Sequence, residues 1–121
     1  MRRDLDLIRK IILAVEALPG GSLNQELKLD GYTREEVGYH SYLVVDSGLA
    51  LGEDVGFMED TSPIWQISQL TAAGHDFADS ARNDTTWNKA KGLLMDKGGS
   101  FTIEIVKELL TRVVKGSLGL E

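Results

Sequence analysis

Apolar residues at Leu5, Ile8, Ile11, Ile12, Val15 and Leu18 recur at the three-and-four spacing of one helical face, and Pro19-Gly20-Gly21 stops the run. The pattern predicts a first helix over residues 4–18. From Ser22 to Asp30, Leu27 and Leu29 alternate around Lys28, which predicts a short strand before a turn at Gly31. Thr33 and Glu36 stand three apart in the order of a reciprocal capping box, in which each side chain satisfies the other's backbone donor. A second helix follows with Val37, His40, Leu43 and Val44 inward, ending at Ser47-Gly48.

An extended segment from Leu49 runs into the polar tract Gly52 to Gly56, and a second strand is predicted over Ile64 to Leu70, where Trp65 and Ile67 alternate with Gln66 and Ser68. Two such strands directly after a helix read as a hairpin wing. Thr71 caps a third helix, Ala72 to Arg82, with Ala73, Phe77, Ala78 and Ala81 inward. Asn83-Asp84-Thr85 reads as a polar break before a fourth helix, Thr86 to Asp96, with Trp87, Ala90, Leu93 and Leu94 inward and Lys97-Gly98-Gly99 as its end. Thr102 caps a fifth helix, whose stripe is Val106, Leu109, Leu110 and Val113 before a stop at Gly116.

This order predicts an α+β, mostly helical chain: a winged helix-turn-helix core over residues 1–83 and a C-terminal two-helix extension over 84–119 packed on it. Trp87 is the expected structural anchor of the fourth helix. Amphipathic helix pairs of this kind often form homodimer interfaces, since one copy leaves part of the stripe uncovered. Leu120-Glu121 after Gly119 reads as a purification-tag remnant, which would make the native charge −5 in place of −6.

At 121 residues the chain is one domain by size, and with 42% hydrophobic and 26% charged residues it has the composition of an ordinary globular protein. It has no cysteine, which removes disulfides, thiolate metal sites and a thiol nucleophile. The apolar run Ile11 to Val15 is too short for a spanning helix and lacks a cleavage site, which points to a cytoplasmic protein without a membrane partner.

Several stretches, taken as a set, carry a resemblance: Arg3 to Ile11, Gly31-Tyr32-Thr33 through His40 and on to Gly48-Leu49, Leu70 to Phe77, Ala81 to Lys89, and Gly98-Gly99-Ser100. They resemble an uncharacterised domain-of-unknown-function family common in bacteria, phages and prophages, similar in pattern to YjcQ-like winged-helix proteins. The resemblance implies a winged-helix fold in a bacterial or mobile-element setting and brings no catalytic residues with it.

Enzyme chemistry finds no support in the spacing. His40 and His75 lie 35 positions apart on different predicted helices, outside any H-E-x-x-H or G-x-S-x-G pattern. No catalytic, cofactor or metal set is recognisable, and Gly48 to Gly56 lacks a phosphate-loop signature. The expected place of His40 is the inner face of the second helix with a ring nitrogen on a backbone carbonyl; His75 is expected to pack or cap, and Asp76 and Asp79 to be solvated.

Charge decides how the winged-helix expectation is read. Residues 24–63 carry two basic side chains, Lys28 and Arg34, against nine acidic ones, a net −7 within a chain of net −6. The would-be recognition helix and wing therefore hold Glu35, Glu36, Glu53, Asp54, Glu59 and Asp60, a candidate acidic interaction face that phosphates would repel. Candidate nucleic-acid contacts are confined to Arg2, Arg3, Arg9, Lys10 and Arg34, with a further basic group on the last two helices. Two functions follow: a non-catalytic winged-helix interaction protein that binds a protein partner or itself, and, as the alternative, a dimeric winged-helix DNA-binding regulator. A phage-borne DNA mimic would call for more negative charge than −6.

Overall fold

A computed structural model describes residues 2–18, 27–56, 64–96, 98 and 101–119, and in it the chain is α+β and mostly helical. Among the described residues the order is α1 (Leu5–Glu16), α2 (Arg34–Asp46), β1 (Ala50–Asp54), β2 (Trp65–Leu70), α3 (Ala72–Ala81), α4 (Asp84–Asp96) and α5 (Ile103–Leu118). Two compact units divide the chain after His75, inside α3.

In the first unit, Asp4 caps α1 by accepting from the Leu7 N–H, and the apolar face then buries Leu7, Ile8, Ile11, Ile12 and Val15. Each such side chain contributes about 1.5–3 kcal/mol of gross transfer free energy, offset by chain ordering. Helix α2 opens with the capping box: Thr33 Oγ accepts from Glu36 N–H at 3.0 Å and the Glu36 carboxylate accepts from Thr33 N–H at 2.9 Å. Val37, His40 and Val44 are buried as expected, Leu43 is half-buried, and Gly38 and Ser41 join the inner face.

Strands β1 and β2 form an antiparallel hairpin whose register slips between Leu51 and Gly52, leaving Ser68 as the extra residue of a bulge. The Ser68 hydroxyl donates to the Leu51 carbonyl at 3.1 Å, and a Cβ at Gly52 would collide with the Gln66 carbonyl oxygen, so the bulge needs glycine there. From β2 the chain enters α3 through Thr71, whose N–H donates to Leu49 O at 3.0 Å and whose hydroxyl donates to Gly48 O at 2.7 Å while accepting from Gly74 N–H. Gly74 itself lies against the Leu49 backbone, where a Cβ has no room.

The second unit holds the rest of α3 with α4 and α5. Phe77, Ala78 and Ala81 are buried, and Ala73, ahead of the division, is half-buried. Thr102 caps α5 through the Ile105 N–H, as its position predicted.

Four expectations change. The strand over 22–30 is absent at residues 27–30, where Tyr32 N–H bonds to Leu29 O around Gly31 at φ +87°, so this leucine pair leads into a turn; residues 22–26 lie outside the described residues. The break expected at Asn83-Asp84-Thr85 lies instead at Arg82-Asn83: Asn83 Oδ1 accepts from Thr86 N–H at 3.0 Å and α4 starts at Asp84, two residues early. Leu93 points outward at 38% exposure, because the inner face of α4 is already made by Trp87, Ala90 and Leu94. Helix α5 passes through Gly116 and ends at Leu118, since Gly119, at φ +70°, supplies the left-handed cap.

Candidate interaction site

The sequence-predicted candidates are best placed from His40 outward. Its ring is 1% exposed; Nδ1 lies 2.8 Å from the Glu36 carbonyl, and Nε2 lies 2.8 Å from the Asp4 N–H. A carbonyl can only accept and an N–H can only donate, so the ring is the neutral Nδ1–H tautomer. His40 thus holds the N-cap of α1 against the middle of α2. At the other end Lys10 Nζ sits 5.2 Å from the Tyr32 ring centroid, so α1 and α2 run antiparallel. His75, by contrast, is exposed, and so are Asp76 and Asp79, the latter paired with Arg82 at 3.1 Å.

With Val37, His40, Ser41 and Val44 turned inward, the opposite side of α2 carries Glu35, Tyr39, Tyr42 and Asp46 at steps of four, three and four. Glu35 and Asp46 are exposed, and the two tyrosines are half-buried with ring centroids 6.2 Å apart. Tyr42 in turn lies 5.3 Å from the Trp65 ring of β2 at 53°, so three half-exposed aromatics connect α2 to the hairpin. Asp54 is the cross-strand partner of Trp65 and therefore lies on the same face of the hairpin. The sequence reading missed this ladder. Its signal was the Tyr39–Tyr42 spacing on the outward side of a capped helix, next to a strand that starts with Trp65.

The acidic candidates separate by what they do. Glu35 and Glu53 are exposed, Glu36 is committed to the capping box, and Asp54 Oδ1 accepts from Gly56 N–H at 2.9 Å and Ile64 N–H at 3.3 Å at the base of the hairpin. Glu59 and Asp60 lie outside the described residues. The basic candidates are not brought together: Arg2 and Arg3 are exposed ahead of α1, and Lys10 lies about 10 Å further along it over Tyr32. Arg9 is half-buried, Arg34 is exposed at the first position of α2, and both have interaction partners. Trp87 is 2% exposed, with its ring tilted at 65° to Phe77 at 6.3 Å.

Among the described residues no group of three His, Asp or Glu side chains is placed to hold a metal ion, and no helix is long and apolar enough to cross a membrane.

Comparison with known proteins agrees with the family-level resemblance. The profile of the family described as "Hypothetical protein (DUF2513)" matches residues 2–100. A protein of Haemophilus influenzae, described as "Uncharacterized protein", is 31% identical over 121 residues, which span 98% of this chain and 99% of that one. No solved structure matches the chain significantly.

Proposed function

The chain belongs to the DUF2513 family, and for it we propose a non-catalytic role: a bacterial or phage-borne winged-helix interaction protein that engages a partner protein through α2 and the hairpin. The winged-helix reading rests on the order of a capped helix, an antiparallel hairpin and a return helix tied to the turn before the hairpin by Thr71. In that reading α2 takes the place of the groove-reading helix and the hairpin that of the wing.

One observation carries the choice of partner. The outward side of α2 presents acid, tyrosine, tyrosine, acid, and it continues through Trp65 to its cross-strand partner Asp54 on the hairpin. A phosphate backbone gains affinity from lysine and arginine, and carboxylates here would oppose it. Half-exposed tyrosine and tryptophan are the side chains that supply large contact area at protein interfaces, with surrounding charge setting partner choice. The complementary surface is apolar at its centre with lysine or arginine around it.

The alternative, a dimeric DNA-binding regulator, draws on exposed Arg2, Arg3 and Lys10 at α1. Fluorescence anisotropy with random-sequence duplex at low and near-physiological salt decides between the two. We expect no saturable binding at low salt. Tight binding with a steep salt slope, lost when Arg2, Arg3, Arg9 and Lys10 are neutralised, would overturn the protein-partner reading. A partner identified by affinity capture should be retained by the wild type and lost by the Tyr39→Ser and Trp65→Ser variants with their helix content intact.

A further inference from the structure

We propose that α5 is a self-association helix, which pairs antiparallel with α5 of a second copy across a two-fold axis near Leu109 and Leu110. The proposal is independent of the partner-protein reading, because it uses only residues of the second unit. Its first support is an apolar row that the unit leaves uncovered. Val106 and Leu110 are buried, whereas Ile105 is 42% exposed and Leu109 and Val113, four and eight residues on, are half-buried. At its Val113 end the row meets a groove of about 590 Å³ between α4 and α5, lined also by Gly92, Leu93 and Gly116 and by the charged Lys89, Asp96 and Arg112.

The second support is charge. Glu104 and Glu108 lie in the first half of α5, Glu104 with Lys107 Nζ 3.4 Å from its carboxylate, and Arg112 and Lys115 lie in the second half. Reversing one helix against its copy brings Glu104 towards Lys115 and Glu108 towards Arg112, with the midpoint of each pair within about one residue of that of Ile105 against Val113, at Leu109. Both ends of a two-fold interface are then satisfied by one set of residues, as an isologous contact requires. The helix macrodipole alone explains acids first and bases last. It does not explain an exposed isoleucine beside them, or a groove at the position where Ile105 of the second copy arrives.

The size of the contact sets its strength. Helix α5 has 16 residues, about 24 Å of length. Two such helices with the α4 edge make a contact at or below about 1,200 Å², the range of weak, reversible association. The assembly is therefore expected to be a concentration-dependent monomer–dimer equilibrium.

Sedimentation equilibrium over rising protein concentration tests this, with two charge-reversal variants, E104K/E108K and R112E/K115E. Each alone places like charges opposite one another and should weaken self-association at least about tenfold. Mixed in equal amounts, the two should re-form a heterodimer, since every reversed charge then meets its opposite. Ile105→Arg, at an exposed position, should also dissociate the dimer while leaving the far-UV circular dichroism unchanged. The proposal is overturned by a wild type that stays monomeric at all concentrations, by a dimer that either double variant leaves intact, or by folded double variants whose mixture fails to associate.

Discussion

Replacing His40 tests the account of how the first unit is held together. In His40→Ala the ring, 1% exposed, leaves a cavity, and the Asp4 N–H and Glu36 carbonyl lose their partners at 2.8 Å. A buried side chain truncated to alanine costs about 2–5 kcal/mol, and each hydrogen bond about 0.5–1.5 kcal/mol net. Because cavity and hydrogen-bond losses overlap at one site, the expected loss is about 3–4 kcal/mol, a large share of a typical domain's total. His40→Gln discriminates: its Oε1 reaches the place of Nε2 and can accept from Asp4, so about half the loss should be recovered. Urea unfolding by circular dichroism reads the magnitude, and exchange of the Asp4 amide reads the contact itself. Exchange at Asp4 should accelerate in the alanine variant and slow again in the glutamine one. A loss below about 1 kcal/mol in His40→Ala, or a glutamine variant no better than the alanine one, would refute the tie between α1 and α2.

Two further substitutions follow from the backbone. Gly74→Ala should destabilise by more than about 2 kcal/mol, because its Cβ meets the Leu49 backbone. Gly92→Ala, in the same chemical class but in open space on a helix, should stabilise by up to about 1 kcal/mol, and thermal melts of the pair read the contrast. Asp54→Ala should cost about 1–2 kcal/mol and speed amide exchange at Gly56 and Ile64, whose N–H groups it accepts; unchanged exchange there would remove its role in the hairpin.

What was legible in the sequence was local. The Thr33–Glu36 box, the Ile8, Ile11, Ile12 and Val15 part of the α1 stripe and the Thr102 cap depend on residues within a turn of one another and stand where the spacing put them. At the ends of that stripe, Leu7 and not Leu5 is buried, and α1 ends at Glu16, short of Leu18. Ambiguity arose where one composition serves two structures: Asn-Asp-Thr makes a loop or a helix start, and only the Asn83 side chain on Thr86 N–H decides. A glycine near a helix end was equally ambiguous, since Gly116 continues α5 and Gly119 ends it. The carbonyl partner of His40 lies four residues away and was foreseeable; the Asp4 N–H lies 36 away and was not. The bulge at Ser68 is a property of cross-strand register, which alternation within a single strand does not encode.

The candidate face shows the same limit in electrostatic form. Counting carboxylates over residues 24–63 gives −7, but a count does not say which acids face outward. Glu36 and Asp54 are engaged by backbone N–H groups, and Glu53, next to Asp54 in β1, takes the hairpin face opposite Trp65, so the acids available on the outward side of α2 are Glu35 and Asp46. With them stand Tyr39, Tyr42 and Trp65, which no charge count registers. A partner recognised mainly by these rings, with carboxylates at the rim, should show a modest salt dependence carried in its association rate. Dissociation should respond to loss of the rings instead. Neutralising Glu35 and Asp46 together should therefore slow association several-fold and leave dissociation nearly unchanged. If dissociation accelerates as much as it does in Trp65→Ser, charge and not aromatic area would be the main source of affinity, and the acidic face would regain the central role its sequence gave it.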